Sequence, residues 1–181
     1  KTIRPIKIED LLGRNSIQLD RKKIEQGLKE SVVFVTGAAG SIGSEIVRQL
    51  INFKVQKIIL LDKAESDLYD LQQEILANSE HTNFEVIVGD VTNKSKMRKI
   101  FAEYSPTIVF NAAAYKHVPL MEEFPSEALR VNVGGNKIMA DLSIEFGVEK
   151  FVFISSDKAV NPTNVMGTTK RISEMYIQSL A

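Results

Sequence analysis

Apolar residues follow two alternating patterns along the chain, short uninterrupted runs and stripes with three- and four-residue spacing. The uninterrupted runs are typical of strands buried on both faces and lie at residues 32–36, 57–61, 84–88, 107–110 and 150–154. The spaced stripes predict helices over residues 41–53, 64–78, 94–103, about 126–146 (closed by Gly147) and from about 165 onward. Strands that alternate with helices in this way predict an α/β fold with a parallel sheet and right-handed crossovers.

The first strand and the first of these helices are joined by a glycine turn with the spacing GxxGxxG. Such a turn lets the backbone lie close to a ligand and aims the N–H groups of the helix at it, which favours a diphosphate. The turn therefore indicates a dinucleotide site, with an ordinary strand-to-helix turn as the alternative. Its position after the first strand predicts a Rossmann-like, doubly wound sheet with strand order 3-2-1-4-5. The residues expected to bind the cofactor here are Gly37, Ala39, Gly40, Ser41, Ile42 and Gly43.

Two apolar stripes are expected to pack on this sheet. The first helix contributes Ile42, Ile46, Val47 and Leu50, and the second contributes Leu68, Leu71, Ile75 and Leu76.

The two ends of the chain differ from its regular middle. Residues 1–30 are polar and irregular, with short helical patches at Ile8–Leu12 and Arg21–Leu28, and they are predicted to form a lead-in segment before a domain over 31–181. The chain stops inside or just after the helix that carries Lys170. We therefore expect a sixth strand, and whatever follows it, to be absent.

Composition limits the classes of function. The 181 residues fit one domain, and 44% hydrophobic residues suffice for a core. Lys plus Arg and Asp plus Glu both total 23, so net charge gives no case for nucleic acid or an anionic membrane surface as a partner. The absence of cysteine excludes disulfides and thiolate metal sites, and two histidines, His81 and His117, cannot build a zinc site unaided. No apolar stretch approaches a membrane span, so we expect this chain to be soluble.

Asp62 ends the second predicted strand, nineteen residues after Gly43. Ligands of such sheets lie beyond the carboxyl ends of the strands, where this carboxylate would accept hydrogen bonds from the adenosine ribose hydroxyls. It would also repel a 2′-phosphate, by about 4 kcal/mol at ~4 Å with an effective dielectric of ~20. The position favours NAD over NADP, although the neighbouring Lys63 keeps NADP open and a solvated loop Asp is the alternative interpretation.

Further candidates follow the third and fourth strands. Asp90 and Val91 occupy the position that flanks an adenine ring, although Asp at such a turn is also a good helix cap. Three small side chains after the fourth strand leave room for the middle of a cofactor, or else allow tight packing: Ala112, Ala113 and Ala114. The polar tips of the next three residues are candidates to meet an anionic or hydroxylated substrate: Tyr115, Lys116 and His117.

The fifth strand leads into a loop with the residues Ser155, Ser156, Asp157 and Lys158. A carboxylate and an ammonium in one partly desolvated loop would have coupled, shifted pKa values, as acid and base chemistry demands. The alternative is a capped surface turn with an incidental ion pair. On the last helix Met166 and Lys170 are four residues apart and face the same way.

Six segments in register carry a resemblance to a known family. They are TGAAGSIGSE, Asp62, GDV at 89–91, NAAAYKHVPLMEE at 111–123, NVGGN at 132–136 and SSDKAVNPTNVMGTTK at 155–170. Together they resemble the extended short-chain dehydrogenase/reductases and, more narrowly, the UDP-N-acetylglucosamine 4,6-dehydratases of bacterial capsule, O-antigen and protein-glycan synthesis. The lead-in IRPIKIEDLLGR is similar to the segment that joins the membrane-spanning and catalytic halves of the long members.

The resemblance implies a reaction in which NAD takes hydride from sugar C4, water is lost across C5 and C6, and the hydride returns to C6. It implies that Asp157 is the acid at C6, that Lys158 is the base at C5 and that Ser156 bonds O4. Lys170 would hold the nicotinamide ribose, and the substrate contacts would be Lys116, His117 and Asn132. Met166 stands where most of the superfamily has Tyr, but a Met at this position is a point in which the chain resembles the long-form dehydratases. It leaves open whether Asp157, or Lys170 through water, accepts the O4 proton.

Two other functions stay open at this point, a nucleotide-sugar 4-epimerase or reductase and a non-catalytic NAD-binding module. The resemblance implies a parent protein anchored in the inner membrane with this domain at the cytoplasmic face, and a homo-oligomer with the 126–146 helix and the last helix as dimer faces. It also implies that the UDP-binding part follows the last helix. We therefore expect the 181-residue chain to bind a dinucleotide but to turn over poorly or not at all.

Overall fold

The computed structural model describes residues 20–78 and 83–180. Within them a five-stranded sheet consists of β1 Val32–Thr36, β2 Lys57–Asp62, β3 Phe84–Val88, β4 Ile108–Asn111 and β5 Lys150–Phe153. All neighbouring strands pair in parallel, and the order β3-β2-β1-β4-β5 confirms the predicted 3-2-1-4-5 sheet. The register pairs Thr36 with Leu61 on one side and with Asn111 on the other, so the carboxyl ends of the central strands are level.

The helices lie between the strands as the apolar stripes predict. Their bounds are α1 Arg21–Leu28, α2 Ser41–Leu50, α3 Glu65–Asn78, α4 Lys94–Tyr104, α5 Val118–Glu123, α6 Pro125–Ala128, α7 Asn136–Glu145 and α8 Val165–Gln178. The α1 helix confirms the predicted patch at 21–28, whereas the patch predicted at Ile8–Leu12 lies outside the described residues. Helix α2 ends three residues before the predicted end, in a turn whose Ile51 N–H bonds back to Val47.

The predicted 126–146 helix is three segments in succession. Between α6 and α7, residues Leu129–Gly135 form a π-helix, and Gly147 with φ +69° follows the end of α7 as predicted. Helix α5 and the 3₁₀ turn Asp157–Ala159 are not among the predicted elements, because both are too short for a periodic apolar pattern.

Two apolar cores cover the two faces of the sheet, because successive strand residues point to opposite sides. One face packs against α2 and α3 through Val33, Val35, Ile58, Leu60, Val47, Leu50, Leu68, Leu71 and Ile75. The other face packs against α4 and α7 through Phe34, Ile59, Leu61, Val109, Met97, Ile100, Phe101, Met139 and Leu142. Layers on both faces are what a doubly wound sheet requires.

Two residues of the predicted stripes lie outside the core. Leu76 is 54% exposed, because it follows Ile75 directly and is therefore rotated away from the Leu68, Leu71 and Ile75 face. Ile42 is 56% exposed and lies in the first turn of α2. No helix in residues 20–78 and 83–180 is long and apolar enough to span a bilayer.

Candidate functional site

The glycine turn after β1 is shaped by very close backbone packing. Gly37 has φ +66°, and a Cβ there would lie 2.6 Å from the Ala113 nitrogen. A Cβ on Gly43 would lie 2.0 Å from the Gly37 oxygen. A side chain on Gly37 would push the turn away from the loop after β4, and one on Gly43 would push α2 away from the turn. Gly40 caps α2 without any side chain over its first turn, so the N-terminal N–H groups of the helix remain accessible to an anion.

Asp62 lies at the end of β2 and holds the glycine turn in place. One carboxylate oxygen accepts a hydrogen bond of 3.0 Å from the Ala39 N–H, and the other accepts one of 3.0 Å from the Ala64 N–H. The carboxylate is only partly buried. Each oxygen therefore retains a lone pair that a ligand hydroxyl can use.

Two adjoining cavities run along the carboxyl edge of the sheet. The β2-side cavity, of about 190 Å³, is lined by the predicted cofactor residues Gly37, Ala39, Gly40, Asp62, Lys63, Asp90, Val91, Ala112, Ala113 and Ala114. The β5-side cavity, of about 450 Å³, is lined by the predicted residues Ser41, Ile42, Gly43, Lys116, His117, Ser156, Lys158, Met166 and Lys170. The two share Gly37, Gly40, Ala112, Ala114 and Tyr115, so they form one groove that crosses over β1.

Asp90 caps the turn after β3 and also lines the groove. Its carboxylate accepts hydrogen bonds from the Thr92 N–H at 2.9 Å and the Thr92 hydroxyl at 2.8 Å, and Arg130 lies 3.5 Å away. Partial burial alone would raise the pKa of Asp90, but these hydrogen bonds and the Arg130 charge hold it below its usual value. Asp90 is thus a groove residue that also stabilises the turn, but it is not the helix cap, because the N-cap of α4 is Asn93, whose side chain accepts from the Lys96 N–H.

Tyr115 bridges the two cavities, and Asn132 fixes its backbone. The Asn132 amide accepts from the Tyr115 N–H at 2.8 Å and donates to the Tyr115 carbonyl at 3.0 Å and to the Thr169 hydroxyl at 3.0 Å. Lys63 donates to the Tyr115 hydroxyl from across the β2-side cavity. Asn132 is 1% exposed, so the predicted substrate contact is corrected: its polar atoms are committed to the protein.

The loop after β5 contains an ion pair that is open to solvent. Asp157 lies beside the groove, where it accepts from the Ser156 hydroxyl at 3.1 Å and pairs with the Lys158 ammonium at 3.3 Å. These two contacts, the Ser156 hydrogen bond foremost, lower the pKa of Asp157. The Asp157 side chain is 85% exposed, so the expectation of a partly desolvated pair is wrong for this carboxylate. Nothing among the described residues covers it.

Lys170 and Met166 form the floor of the β5-side cavity. Lys170 is 5% exposed, donates to the Ile154 carbonyl at 2.7 Å and has its ammonium 4.5 Å from the centre of the Phe153 ring. Burial lowers the pKa of Lys170 to about 8, against an opposing effect of the Glu174 charge. Met166 packs against Met121 and Ala128. The predicted buried lysine is thus present, beside a residue that has no proton to exchange.

The groove also contains residues that the sequence analysis did not single out as cofactor or substrate contacts. They are Leu61, Ala64, Asp67, Gly89 and Val131 in the β2-side cavity, and Ile154 and Ser155 in the β5-side cavity. Most of them are direct neighbours of predicted residues in the sequence. Their position at the ends of the strands is therefore the sequence signal that could have identified them. Asp67 could not be identified from the strand ends, because it reaches the groove from the first turn of α3. In the part of the chain that the structure describes, no cluster of acidic or histidine side chains could hold a metal ion.

A parallel sheet in this order, with a glycine turn at α2 and a buried lysine on α8, defines a Rossmann-like domain of the short-chain dehydrogenase/reductase type. Over residues 33–181 the chain matches the family described as "Polysaccharide biosynthesis protein", and it belongs to that family. The resemblance found in the sequence motifs is confirmed at this level.

Individual relatives of this chain include proteins named for polysaccharide synthesis or for reactions of nucleotide sugars. The chain is 49% identical to the capsular polysaccharide biosynthesis protein CapD of Staphylococcus aureus over 98% of its own length and 30% of CapD. It is 33% identical to a UDP-N-acetylglucosamine 4,6-dehydratase (inverting) of Campylobacter jejuni, over 78% of this chain and 41% of that protein. Among solved structures, UDP-glucose 4-epimerase from Thermotoga maritima with UDP-glucose superposes with a TM-score of 0.71 at 26% identity, over 83% of this chain and 51% of the epimerase. The chain thus spans less than half the length of the two curated relatives.

Proposed function

We propose that this chain is the NAD-binding part of a nucleotide-sugar 4,6-dehydratase that converts UDP-N-acetylglucosamine to a UDP-4-keto-6-deoxy sugar in bacterial polysaccharide synthesis. The observation that carries the proposal is the continuous groove from the glycine turn to Ser156, Lys158 and Lys170, with Met166 in its wall. The likeness to CapD and to the Campylobacter dehydratase supports it. In this proposal residues 1–30 are a lead-in and 31–181 form the cofactor domain.

The residues of the groove fit a dinucleotide. The glycine turn and the open first turn of α2 suit a diphosphate, and the alanines after β4 leave space beside it. Asp62 would accept from the adenosine ribose hydroxyls with the lone pairs that Ala39 and Ala64 leave free. A 2′-phosphate would meet that carboxylate, so we propose NAD and not NADP, although Lys63 reduces the repulsion.

Bound NAD would supply hydride transfer, taking hydride from sugar C4 and returning it to C6. The C4 ketone makes the C5 proton acidic, and Lys158 removes that proton while Asp157 donates one to the C6 hydroxyl, which leaves as water. Lys158 then returns a proton to C5, so the net change is the loss of one water molecule. Ser156 would bond O4, and Lys116 and His117 would contact the substrate from the loop after β4.

The exposure of Asp157 determines what the substrate must do. An acid at C6 needs a proton near neutral pH, yet the pKa of Asp157 is lowered by its Ser156 and Lys158 contacts. We propose that a sugar seated over the β5-side cavity displaces water from this carboxylate and raises its pKa. The O4 proton would go to Asp157, or to Lys170 through water, because the Met166 thioether cannot take it.

The test is turnover of UDP-N-acetylglucosamine in D₂O by the whole protein that contains this chain. The expected product has lost water and carries deuterium at C5, because Lys158 exchanges its protons with solvent before it returns one. Lys158→Ala should abolish the product, whereas Met166→Leu should retain it. A dehydrated product that forms equally well in Lys158→Ala would contradict the assignment of the base.

A 4-epimerase is the second candidate, because the superposition with UDP-glucose 4-epimerase covers the same part of the fold. An epimerase would return the hydride to C4, so its product would have the mass of the substrate and no deuterium at C5. The absence of any product from a protein that binds NAD would instead favour a non-catalytic NAD-binding module. We also propose, from the family resemblance alone, an inner-membrane anchor, a cytoplasmic location and a homo-oligomer for the whole protein.

A further inference from the structure

Helix α8 holds the segment after β5 at three successive turns. The Lys170 ammonium donates to the Ile154 carbonyl at 2.7 Å, and the Ser155 hydroxyl donates to the Glu174 carboxylate at 2.6 Å. One turn earlier, Gly167 lies so close to the Lys158 carbonyl that a Cβ would be 2.2 Å from its oxygen. Two side chains four residues apart thus hold two consecutive residues of the segment that leads to Ser156, Asp157 and Lys158.

Glu174 is more than a surface acid in this arrangement. Its second carboxylate oxygen accepts from Arg171 at 3.1 Å, and its side chain is 24% exposed. Because Glu174 follows Lys170 by one helical turn, both side chains lie on the side of α8 that meets β5. No sequence motif indicates a role for Glu174, and the proposed chemistry does not use it.

The charges around Lys170 make the Glu174 charge important. Lys170 bonds to a neutral carbonyl, so burial disfavours its protonated form. The other titratable groups that line the same cavity are Tyr115, Lys116, His117 and Lys158. None of these four side chains is a carboxylate that would favour the protonated form of Lys170. Asp157 is paired with Lys158 and 85% exposed, whereas Glu174 is 24% exposed and lies one helical turn from Lys170, although Arg171 offsets part of its charge.

We propose that Glu174 is a positioning residue that fixes the Ser155–Lys158 loop on α8 through the Ser155 hydroxyl and keeps the buried Lys170 protonated with its negative charge. The importance of that loop rests on the proposed function. The hydrogen bond from Ser155 and the effect of the Glu174 charge on Lys170 do not depend on the proposed function. Both are therefore testable in the 181-residue chain without cofactor or substrate.

The test separates the charge from the hydrogen bond. Glu174→Gln removes the charge but keeps an oxygen that accepts from Ser155, whereas Ser155→Ala removes the hydrogen bond and keeps the charge. Glu174→Asp keeps the charge on a shorter side chain. Glu145→Gln is the matched control, because it neutralises a carboxylate that pairs with Arg98 on another helix. The measurements are the Lys170 titration by ¹³C NMR of labelled lysine side chains, assigned with Lys170→Met, and amide hydrogen exchange of residues 155–158.

We expect Glu174→Gln to lower the Lys170 pKa by about one unit and to leave loop exchange nearly unchanged. Ser155→Ala should accelerate exchange at 156–158 at least severalfold with little change in that pKa. Glu174→Asp should accelerate exchange but restore the titration, and Glu145→Gln should change neither quantity. An unchanged Lys170 titration in Glu174→Gln would overturn the proposal, and so would an equal fall in Ser155→Ala. A failed dehydratase assay alongside the expected shifts would count against the proposed function only.

Discussion

Asp62 acts on both the protein and its proposed ligand. Its two oxygens accept from the Ala39 and Ala64 N–H groups, so the residue that would select the cofactor also holds the glycine turn. An Asn side chain at this position would keep one oxygen that accepts from one of these N–H groups, but it would turn its NH₂ group toward the other. A buried donor without a partner costs roughly 1–3 kcal/mol.

For Asp62→Asn we predict an NAD affinity about tenfold lower and a smaller preference for NAD over NADP, because the charge that repels a 2′-phosphate is gone. Isothermal titration calorimetry with both nucleotides measures this directly. Asp70→Asn, on the exposed side of α3, is the control and should leave both affinities unchanged. An unaltered NAD to NADP ratio in Asp62→Asn would exclude Asp62 as the selecting residue.

Lys170 should make the stability of the chain depend on alkaline pH. Its pKa is about 8 in the folded protein, lowered by burial, and near 10.5 when unfolded. Between these values the unfolded chain binds more protons, so the free energy of unfolding rises with pH through this window. The loss of folding stability caused by burying the charged Lys170 is fully present below pH 8 and disappears above about pH 10.5.

We therefore predict that urea unfolding of the native sequence and of Lys170→Met gives free energies whose difference changes by about 3 kcal/mol across this window. Contributions from groups far from Lys170 are common to both proteins and cancel in the difference. Parallel pH profiles for the two proteins would show that Lys170 is not desolvated in solution.

The π-helix Leu129–Gly135 contains two adjacent glycines in different surroundings. A Cβ on Gly135 would lie 2.7 Å from the Val91 Cγ2, in the wall of the β2-side cavity. A Cβ on Gly134 would meet nothing closer than the Leu129 carbonyl at 3.8 Å. Of the two glycines, only Gly135 therefore packs closely against the loop after β3.

We predict that Gly135→Ala destabilises the chain by about 1–3 kcal/mol, because Val91 must move to relieve the overlap. Gly134→Ala should be neutral or slightly stabilising, since alanine is the better helix former. Thermal or urea unfolding of the pair measures both effects against each other. Equal stabilities of the two variants would show that Val91 adjusts at no cost.

Asn132 connects this π-helix to the loop after β4 and to α8. Its amide makes three hydrogen bonds, two to the backbone of Tyr115 and one to Thr169. We predict that Asn132→Ala costs about 2–4 kcal/mol, because the buried Tyr115 backbone groups lose their partners. Tyr115→Phe, which keeps the backbone contacts, should cost much less in the same unfolding experiment. A mild effect of Asn132→Ala would show that the Tyr115 backbone groups find other partners.

Across the elements, the accuracy of sequence-based prediction depended on how local the cause was. Strand positions and strand order follow from uninterrupted apolar runs and the glycine turn, and they were confirmed. The predicted substrate contact of Asn132 is wrong, because no sequence pattern distinguishes an amide that bonds a ligand from one that bonds a neighbouring loop. The exposure of Asp157 was also missed, since spacing places it in the right loop but contains no information about what covers that loop.

At the scale of the whole molecule, the carboxyl edge of the sheet brings together residues that are distant in sequence. The strand-end loops of β1 to β4 line the β2-side cavity, and the β1, β4 and β5 loops with α8 line the β5-side cavity. Only the parallel arrangement with level strand ends produces one groove from these segments. We propose that this groove holds a dinucleotide with its diphosphate over the glycine turn.

The most direct test of that claim is titration of the ¹⁵N-labelled 181-residue chain with NAD, followed by NMR. We predict the largest amide shifts at residues 38–44, 62–64 and 112–115, and smaller shifts at Asp90, Ser156 and Lys170. ADP-ribose should reproduce the shifts at Asp62 and Asp90 but not those at Ser156 and Lys170. Saturable shifts confined to another surface, such as the cleft lined by Lys22, Lys29 and Lys54, would contradict it. So would the absence of any shift at millimolar NAD.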